Sequence, residues 1–346
     1  MYVPILKNRI IEMSIVKELY EVGLSSNTIP LIEIIQKRTR SNSKKTYVDE
    51  LKDVFLNKNS SFFLDFPKIQ VTTSTTKSVQ DFLTKVNRQS SFVNEQFELC
   101  KNIRGIIPVL SYVERELVKV DVLKDDLKVL NDNFNKVALR LTPIQLNNLS
   151  KNSLLDINDY DYILLDIGES SHINPVFKDT YKLLKELKLS KSVKTIILNS
   201  NRPKSLLNKD IVDNKPIQGI DNSLLEMYFH ERYGFDGFGD YASITSILPT
   251  TGGSISPAGI YYSYNNNYFI GFRGKTRLLS EFSEHIAPSI IKSPYWNEFT
   301  PEHHEKCPGC RKIKNIADGK ESGRNQGLWK GITMSHYIYT LDEKSV

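Results

Sequence analysis

No run of about 18 apolar residues occurs in the chain, so no segment reads as a transmembrane helix. The apolar patch at the start, Tyr2 to Leu6, is far too short for the apolar region of a signal peptide. A cytoplasmic location is therefore the expectation. Cysteine is scarce: Cys100, Cys307 and Cys310 are too few and too unevenly spaced for a disulfide framework, which fits a reducing compartment. Neither G-x-G-x-x-G nor G-x-x-x-x-G-K occurs, so the phosphate-cradling turns of dinucleotide-binding and P-loop folds are missing. Charge of one sign is also lacking. Lysine plus arginine number 46 against 40 acidic residues, and a net charge of +6 on 346 residues points to a solvated surface before it points to nucleic acid.

What the chain has in quantity is alternation. Short runs rich in β-branched and aromatic residues are followed by longer segments of helical period, the pattern of βα units and a parallel sheet. The runs are Tyr2–Leu6, Ile29–Ile35, Phe62–Phe66, Ile106–Leu110, Val137–Leu141, Tyr162–Ile167, Thr195–Asn199 and Phe238–Ile244. Helices are expected at Ile11–Val22, Val48–Leu56, Ser78–Val86 with an extension towards Asn94, Glu114–Leu130, a short one opened by Thr142-Pro143, Pro175–Leu187 and Leu224–Tyr233. Eight runs with helical spacers predict a (β/α)₈ TIM-like barrel. An open doubly wound sheet is the rival, and the missing glycine-rich turn weighs against it.

Beyond residue 250 the alternation stops. Ile260–Tyr264 and Tyr268–Phe272 read as a hairpin joined at Asn265–Asn267, and Ser280–Lys292 as a last barrel helix. The predicted organisation is a barrel over residues 1–299 and a Cys/His-containing tail, residues 300–346, packed on it.

Polar residues close the apolar runs. Lys7, Glu33, Asp65, Arg140, Asp166, Asn199 and Asp240 come from seven different runs, and the C-terminal ends of barrel strands meet at one mouth, where such folds do their chemistry. Glu33, Asp65, Asp166 and Asp240, with Lys7, are the candidate catalytic set: carboxylates serve as general bases or hold a divalent cation such as magnesium or manganese. Arg9, Arg140, Asn199, Arg202 and Tyr241 are candidate substrate-binding residues, the arginines suited to phosphate oxygens. Buried salt bridges, Lys7 with Glu33 and Arg140 with Asp166, would use the same residues with no chemistry. In the tail, Cys307, Cys310 and His336 offer zinc-ligand types, with His303 or His304 able to complete a set of four. The spacing matches no standard finger, and two buried thiols in a tight Pro-Gly turn are the favoured reading there.

The opening Tyr2-Val3-Pro4-Ile5-Leu6-Lys7-Asn8-Arg9, the Ile29-Pro30-Leu31-Ile32-Glu33 run, Gly239-Asp240-Tyr241, and the late Cys-Pro-Gly-Cys followed by Trp329 and His336 resemble the beta protein family. That family is named after a phage T4 protein, and some bacterial relatives are encoded beside candidate phage-defence genes. Those relatives carry two histidines where this chain has Ser335-His336, a departure that weakens a metal reading of the tail. The resemblance implies a barrel-like fold and a role in phage–host conflict or anti-phage defence, and brings no catalytic residue. The function it frames is a metal-dependent phosphoesterase or nuclease at the barrel mouth. The alternative is a non-catalytic sensor or partner subunit that binds a nucleotide or a protein encoded by a neighbouring gene. Nucleic acid or nucleotide is the partner class, and no membrane is expected.

Overall fold

In the computed structural model of the chain, residues 1–344 are described except 39–43, 56–59, 115, 150–153, 155, 158, 219, 221–233, 253–255 and 265–267. Eight parallel strands close into a barrel: β1 (Tyr2–Lys7), β2 (Leu31–Glu33), β3 (Phe62–Asp65), β4 (Ile106–Ser111), β5 (Ala138–Leu141), β6 (Tyr162–Asp166), β7 (Lys194–Leu198) and β9 (Gly237–Asp240). The first and last pair directly, Tyr2 beside Phe238 and Pro4 beside Asp240. These strands are covered on both faces, which is why they read as continuous apolar runs and not as alternation. The eighth strand stops at Asp240, short of the Ile244 expected from its composition.

The spacers are helical as the periodicity predicts. In α3 (Lys77–Arg88), after α1 (Ile10–Glu21) and α2 (Tyr47–Phe55), the buried residues Val79, Phe82, Leu83 and Val86 form one apolar stripe. The expected extension to Asn94 is a separate helix, α4 (Ser90–Cys100), because Gln89 is extended and breaks the hydrogen-bond ladder. The next helix, α5 (Val120–Asn131), starts six residues later than Glu114. The carbonyls of Val113 and Glu116 are taken instead by the side chain of Gln145, from α6 (Pro143–Asn148), whose Thr142 and Gln145 cap one another reciprocally. Helix α7 (Lys178–Ser190) follows β6. The helix expected at Leu224–Tyr233 and the turn at Asn265–Asn267 lie outside the described residues.

The predicted hairpin is present as β10 (Gly259–Ser263) and β11 (Phe269–Arg273), and β8 (Lys215–Pro216) adds a third strand. A π-helical turn, Phe282–Ile286, leads into α8 (Ala287–Lys292) where one continuous helix was expected. The tail is helical: α9 (Pro301–Lys306), α10 (Pro308–Ala317) and α11 (Gln326–Lys344). Helix α11 lies on α1, where Gly327 and Gly331 face Ile11; a methyl group on either would come within 2.6 or 2.9 Å of that side chain. Lys312 pairs with Glu18, Lys330 with Glu12, and Asp342 accepts from Ser25, so the tail is tied to the start of the barrel.

The seam where β9 meets β7 and β1 is tight. A Cβ on Gly239 would sit 2.3 Å from the Val3 carbonyl oxygen and 2.6 Å from Leu198 Cδ2. We therefore expect Gly239→Ala to destabilise the protein by about 1–3 kcal/mol, read as a lowered thermal midpoint; an unchanged midpoint would mean that the seam can spread.

Candidate functional site at the barrel mouth

Strand register brings the polar ends together. Lys7 lies beside Glu33, Glu33 beside Asp65, and Ser111 beside Arg140, so inward positions of successive strands form one polar layer. Arg140 is at its centre. Its Nη1 donates to Glu33 Oε1 at 2.8 Å and to Asp65 Oδ2 at 2.7 Å. Its Nε and Nη2 both donate to Asp166 Oδ2, at 3.0 and 2.7 Å. The Tyr241 hydroxyl donates to Glu33 at 2.9 Å and takes a longer contact from Arg140. Ser111 donates to Asp65, and the Gly168 amide to Asp166.

Lys7 is the odd member. Its ammonium stands 3.6 Å from Glu33 Oε2 and 4.3 Å from the centre of the Tyr241 ring, with no hydrogen-bond partner. Glu33 Oε2 also has none. Glu33 and Asp65 are fully buried, while the Asp166 side chain keeps 24% of its surface, so solvent meets the cluster at Asp166.

Burial pushes Glu33 and Asp65 towards their neutral forms, and neighbouring cations decide the outcome. For Glu33, Lys7 and Arg140 outweigh burial and hold the carboxyl below its ordinary range. For Asp65 burial wins over Arg140, and the pKa rises to about 6. Two adjacent carboxyls pushed apart in this way are the arrangement that divides acid from base roles.

Four of the five candidate catalytic residues, Lys7, Glu33, Asp65 and Asp166, thus meet, together with Arg140 and Tyr241. Asp240 is placed elsewhere. It has the opposite parity to Gly239 and Tyr241 and lies on the outer face of β9, accepting from Tyr2 at 2.9 Å and from Tyr337 of α11 at 2.6 Å. Arg9 stands at the rim, 3.9 Å from Glu12. Asn199 is buried beyond β7, and its Oδ1 has no hydrogen-bond partner; the same holds for Ser200 Oγ, Asn201 Oδ1 and Ser243 Oγ nearby in the chain. Buried unpaired polar atoms cost about 1–3 kcal/mol each, and here they gather after β7 and β9. Ala242 and Ser243, both with positive φ (49° and 64°), turn the chain there in a conformation unfavourable for residues other than glycine.

Arg202 leads from this end of the barrel into a cavity of about 810 Å³. Its guanidinium lies 3.6 Å over the Tyr261 ring, and burial lowers its pKa. Among the described residues the cavity wall carries Arg202, Lys204, Lys209, Arg273, Lys275 and Arg277 and no carboxylate, with Glu169 paired to Lys204 from outside it. Sequence reasoning reached Arg202 and missed Arg273, Lys275 and Arg277, although three cations within the five residues 273–277 are visible in the sequence. Ser111 was also missed; a serine at a strand end carries no signal of its own.

The closed parallel barrel with its polar mouth defines a (β/α)₈ barrel protein. The chain belongs to the beta protein family, whose model, described as Beta protein, matches residues 2–341. No curated protein matches. Among solved structures it is similar to a proposed dihydrodipicolinate synthetase from Pseudomonas aeruginosa (9% identity, TM-score 0.39, covering 70% of each chain). It is also similar to a tryptophan synthase from M. tuberculosis (7%, TM-score 0.38, 69% of this chain and 81% of that one). A xylose isomerase domain containing protein from Salmonella typhimurium is a third (12%, TM-score 0.33, 70% and 89%). These likenesses are too distant to bear on the site.

Arg140→Met leaves three carboxylates without their shared cation, and we expect it to cost about 3–5 kcal/mol, seen as a large drop in thermal midpoint. Asp65 supplies a pH test. Its folded pKa of about 6 lies above the unfolded value near 3.9, so its stabilising contribution is complete below about pH 4 and is lost as pH rises through about 6. Asp65→Asn removes that loss. Relative to wild type the variant should gain about 2 kcal/mol between pH 4 and pH 7, measured by denaturant unfolding at both pH values; a pH-independent difference would refute the shift.

Proposed function

We propose that this protein acts on a phosphate-bearing ligand, a nucleotide or nucleic acid, held in the cationic cavity beside the barrel mouth, as a phosphoesterase or nuclease of phage–host conflict. The observation that carries the reading is the cavity wall, which among the described residues has six cations and no carboxylate on a chain whose overall charge is nearly balanced. Its walls include segments that leave the C-terminal ends of β7 and β9, where barrels of this class commonly hold phosphate groups. Arginine and lysine in a semi-enclosed wall neutralise phosphate oxygens, and of the six cations Lys204 is shared with a carboxylate, Glu169, at 3.6 Å.

The mouth supplies the acid–base groups. Asp65, with its pKa of about 6, donates or accepts a proton near neutral pH, and the Lys7 ammonium is free of hydrogen bonds and able to hold a developing negative charge. The setting in phage–host conflict rests on the family resemblance. A second reading, a sensor that binds the same ligand without turnover, is favoured by Arg140. It occupies the Glu33, Asp65 and Asp166 oxygens that a divalent cation would need, so metal-assisted hydrolysis requires Arg140 to move aside.

Binding of fluorescently labelled single-stranded DNA and RNA and of nucleotides tests the ligand class. Affinity should fall with rising salt, and Lys275→Glu combined with Arg277→Glu, both exposed, should weaken it about tenfold or more without lowering the thermal midpoint. No binding at low salt, or equal binding by the double variant, would sink the proposal. Turnover separates the two readings: a phosphoesterase loses activity with chelator and with Asp65→Asn, whereas a sensor releases no product and keeps its ligand.

A further inference from the structure

We infer that the tail contains a structural zinc site formed by His303, Cys307, Cys310 and His336. All four are buried, and their ligand atoms lie within 4.8 Å of one another. Cys307 caps the start of α10 and Cys310 sits in its first turn, so Cys-Pro-Gly-Cys folds as a knuckle with both sulfurs on one side. His303 comes from α9 and His336 from the middle of α11.

The distances fit a tetrahedron. With bonds of about 2.3 Å to sulfur and 2.0–2.1 Å to nitrogen, each sulfur–nitrogen edge should be about 3.6 Å. The Cys307 and Cys310 sulfurs are 3.5 and 3.4 Å from His336 Nδ1. Two thiolates and two imidazoles are the donor set zinc prefers, and two thiolates balance its charge inside an apolar shell.

The outer nitrogens make the second argument. A metal-bound histidine usually gives its other nitrogen to a carboxylate or a backbone carbonyl, which fixes the ring. His336 Nε2 lies 2.9 Å from the Ser263 carbonyl oxygen, and His303 Nδ1 lies 2.6 Å from Glu343 Oε2. This leaves His303 Nε2 buried without a hydrogen-bond partner, beside the two sulfurs. Tyr262 stacks on the His336 ring with centroids 4.5 Å apart, and Phe299 packs edge-on against it.

Gly309 explains the spacing. A Cβ there would lie 2.7 Å from the Ile332 carbonyl oxygen and 2.8 Å from His336 Cβ, so glycine lets the knuckle approach α11 closely enough to share a ligand sphere. His304, the other histidine of the pair, is excluded: it stacks on Trp296 at 3.9 Å with its Nε2 on the Trp296 carbonyl. The metal would join α9, α10 and α11 and, through Ser263, reach the β10 strand.

The test is the zinc content of the full chain, purified under reducing conditions without chelator or histidine tag. About one zinc per chain is expected, released when the thiols are modified by a mercurial. Cys310→Ser and His303→Gln should each lose most of the metal and lower the thermal midpoint by about 10 °C or more. Should the variants fail to fold, the wild type decides: chelation should lower its midpoint, zinc should restore it, and cobalt(II) should give the visible spectrum of a tetrahedral thiolate site. A protein isolated without metal, whose midpoint zinc does not move, would overturn the inference, as would a Cys307–Cys310 disulfide in the purified chain.

Discussion

The guanidinium of Arg140 lets carboxylates from β2, β3 and β6 share one barrel end. Without a cation, the buried Glu33 and Asp65 would be driven to their neutral forms by desolvation and mutual repulsion. One planar fork meets Glu33, Asp65 and Asp166 at once, which a lysine, with a single charged atom, could not do. Even so the neutralisation is incomplete. Lys7 and Arg140 face three carboxyls, and burial, aided by the neighbouring Glu33 charge, raises Asp65 to about 6. The most chemically usable group at the mouth is therefore a product of the same burial that makes the mouth costly to build.

The strand that closes the barrel carries two jobs on its two faces. The inner parity of β9 continues into Tyr241, which donates to Glu33 and underlies Lys7. The outer parity presents Asp240 to Tyr2 and Tyr337. Because the two residues are adjacent, a shift of α11 that moves Tyr337 acts on Asp240 and, one peptide later, on Tyr241. The glycines of β9 leave little slack: a Cβ on Gly237 would run into Met1, and one on Gly239 into Val3 and Leu198. The tail is thus mechanically continuous with the mouth through a single short strand.

Much of this was legible beforehand. Eight apolar runs predicted eight strands in the observed order, and polar residues in or at the end of five of those runs located Lys7, Glu33, Asp65, Arg140 and Asp166. What failed to read through was parity and distance. Asp240 and Tyr241 stand side by side in sequence, but a strand sends neighbours to opposite faces, and the register that decides which faces inward belongs to the closed barrel. The cavity escaped for a different reason. Arg202 and Arg273 are far apart in the chain and meet only because β8, β10 and β11 form a small sheet beside the barrel. His303 was visible as one of two adjacent histidines, and only the helix phase of α9 separates it from His304.

Charge is divided between mouth and cavity in a way that constrains any chemistry. The mouth cluster carries two cations among three carboxyls and repels a phosphate from its interior, while the cavity attracts one. On the proposed reading an anionic ligand settles in the cavity, and the part of the cluster open to solvent is its Asp166 edge, beside the Nη2 side of Arg140. At that edge a phosphate oxygen competes with Asp166 for the same guanidinium donors, to which Asp166 binds through one oxygen. Displacing Asp166 would free a carboxylate in contact with solvent and leave Glu33 and Asp65 still held, a smaller electrostatic change than opening the buried core of the cluster. On the proposed reading, the partly accessible Asp166 is where a bound anion would exchange partners with the ion network, with Asp65 held behind it through the shared Arg140.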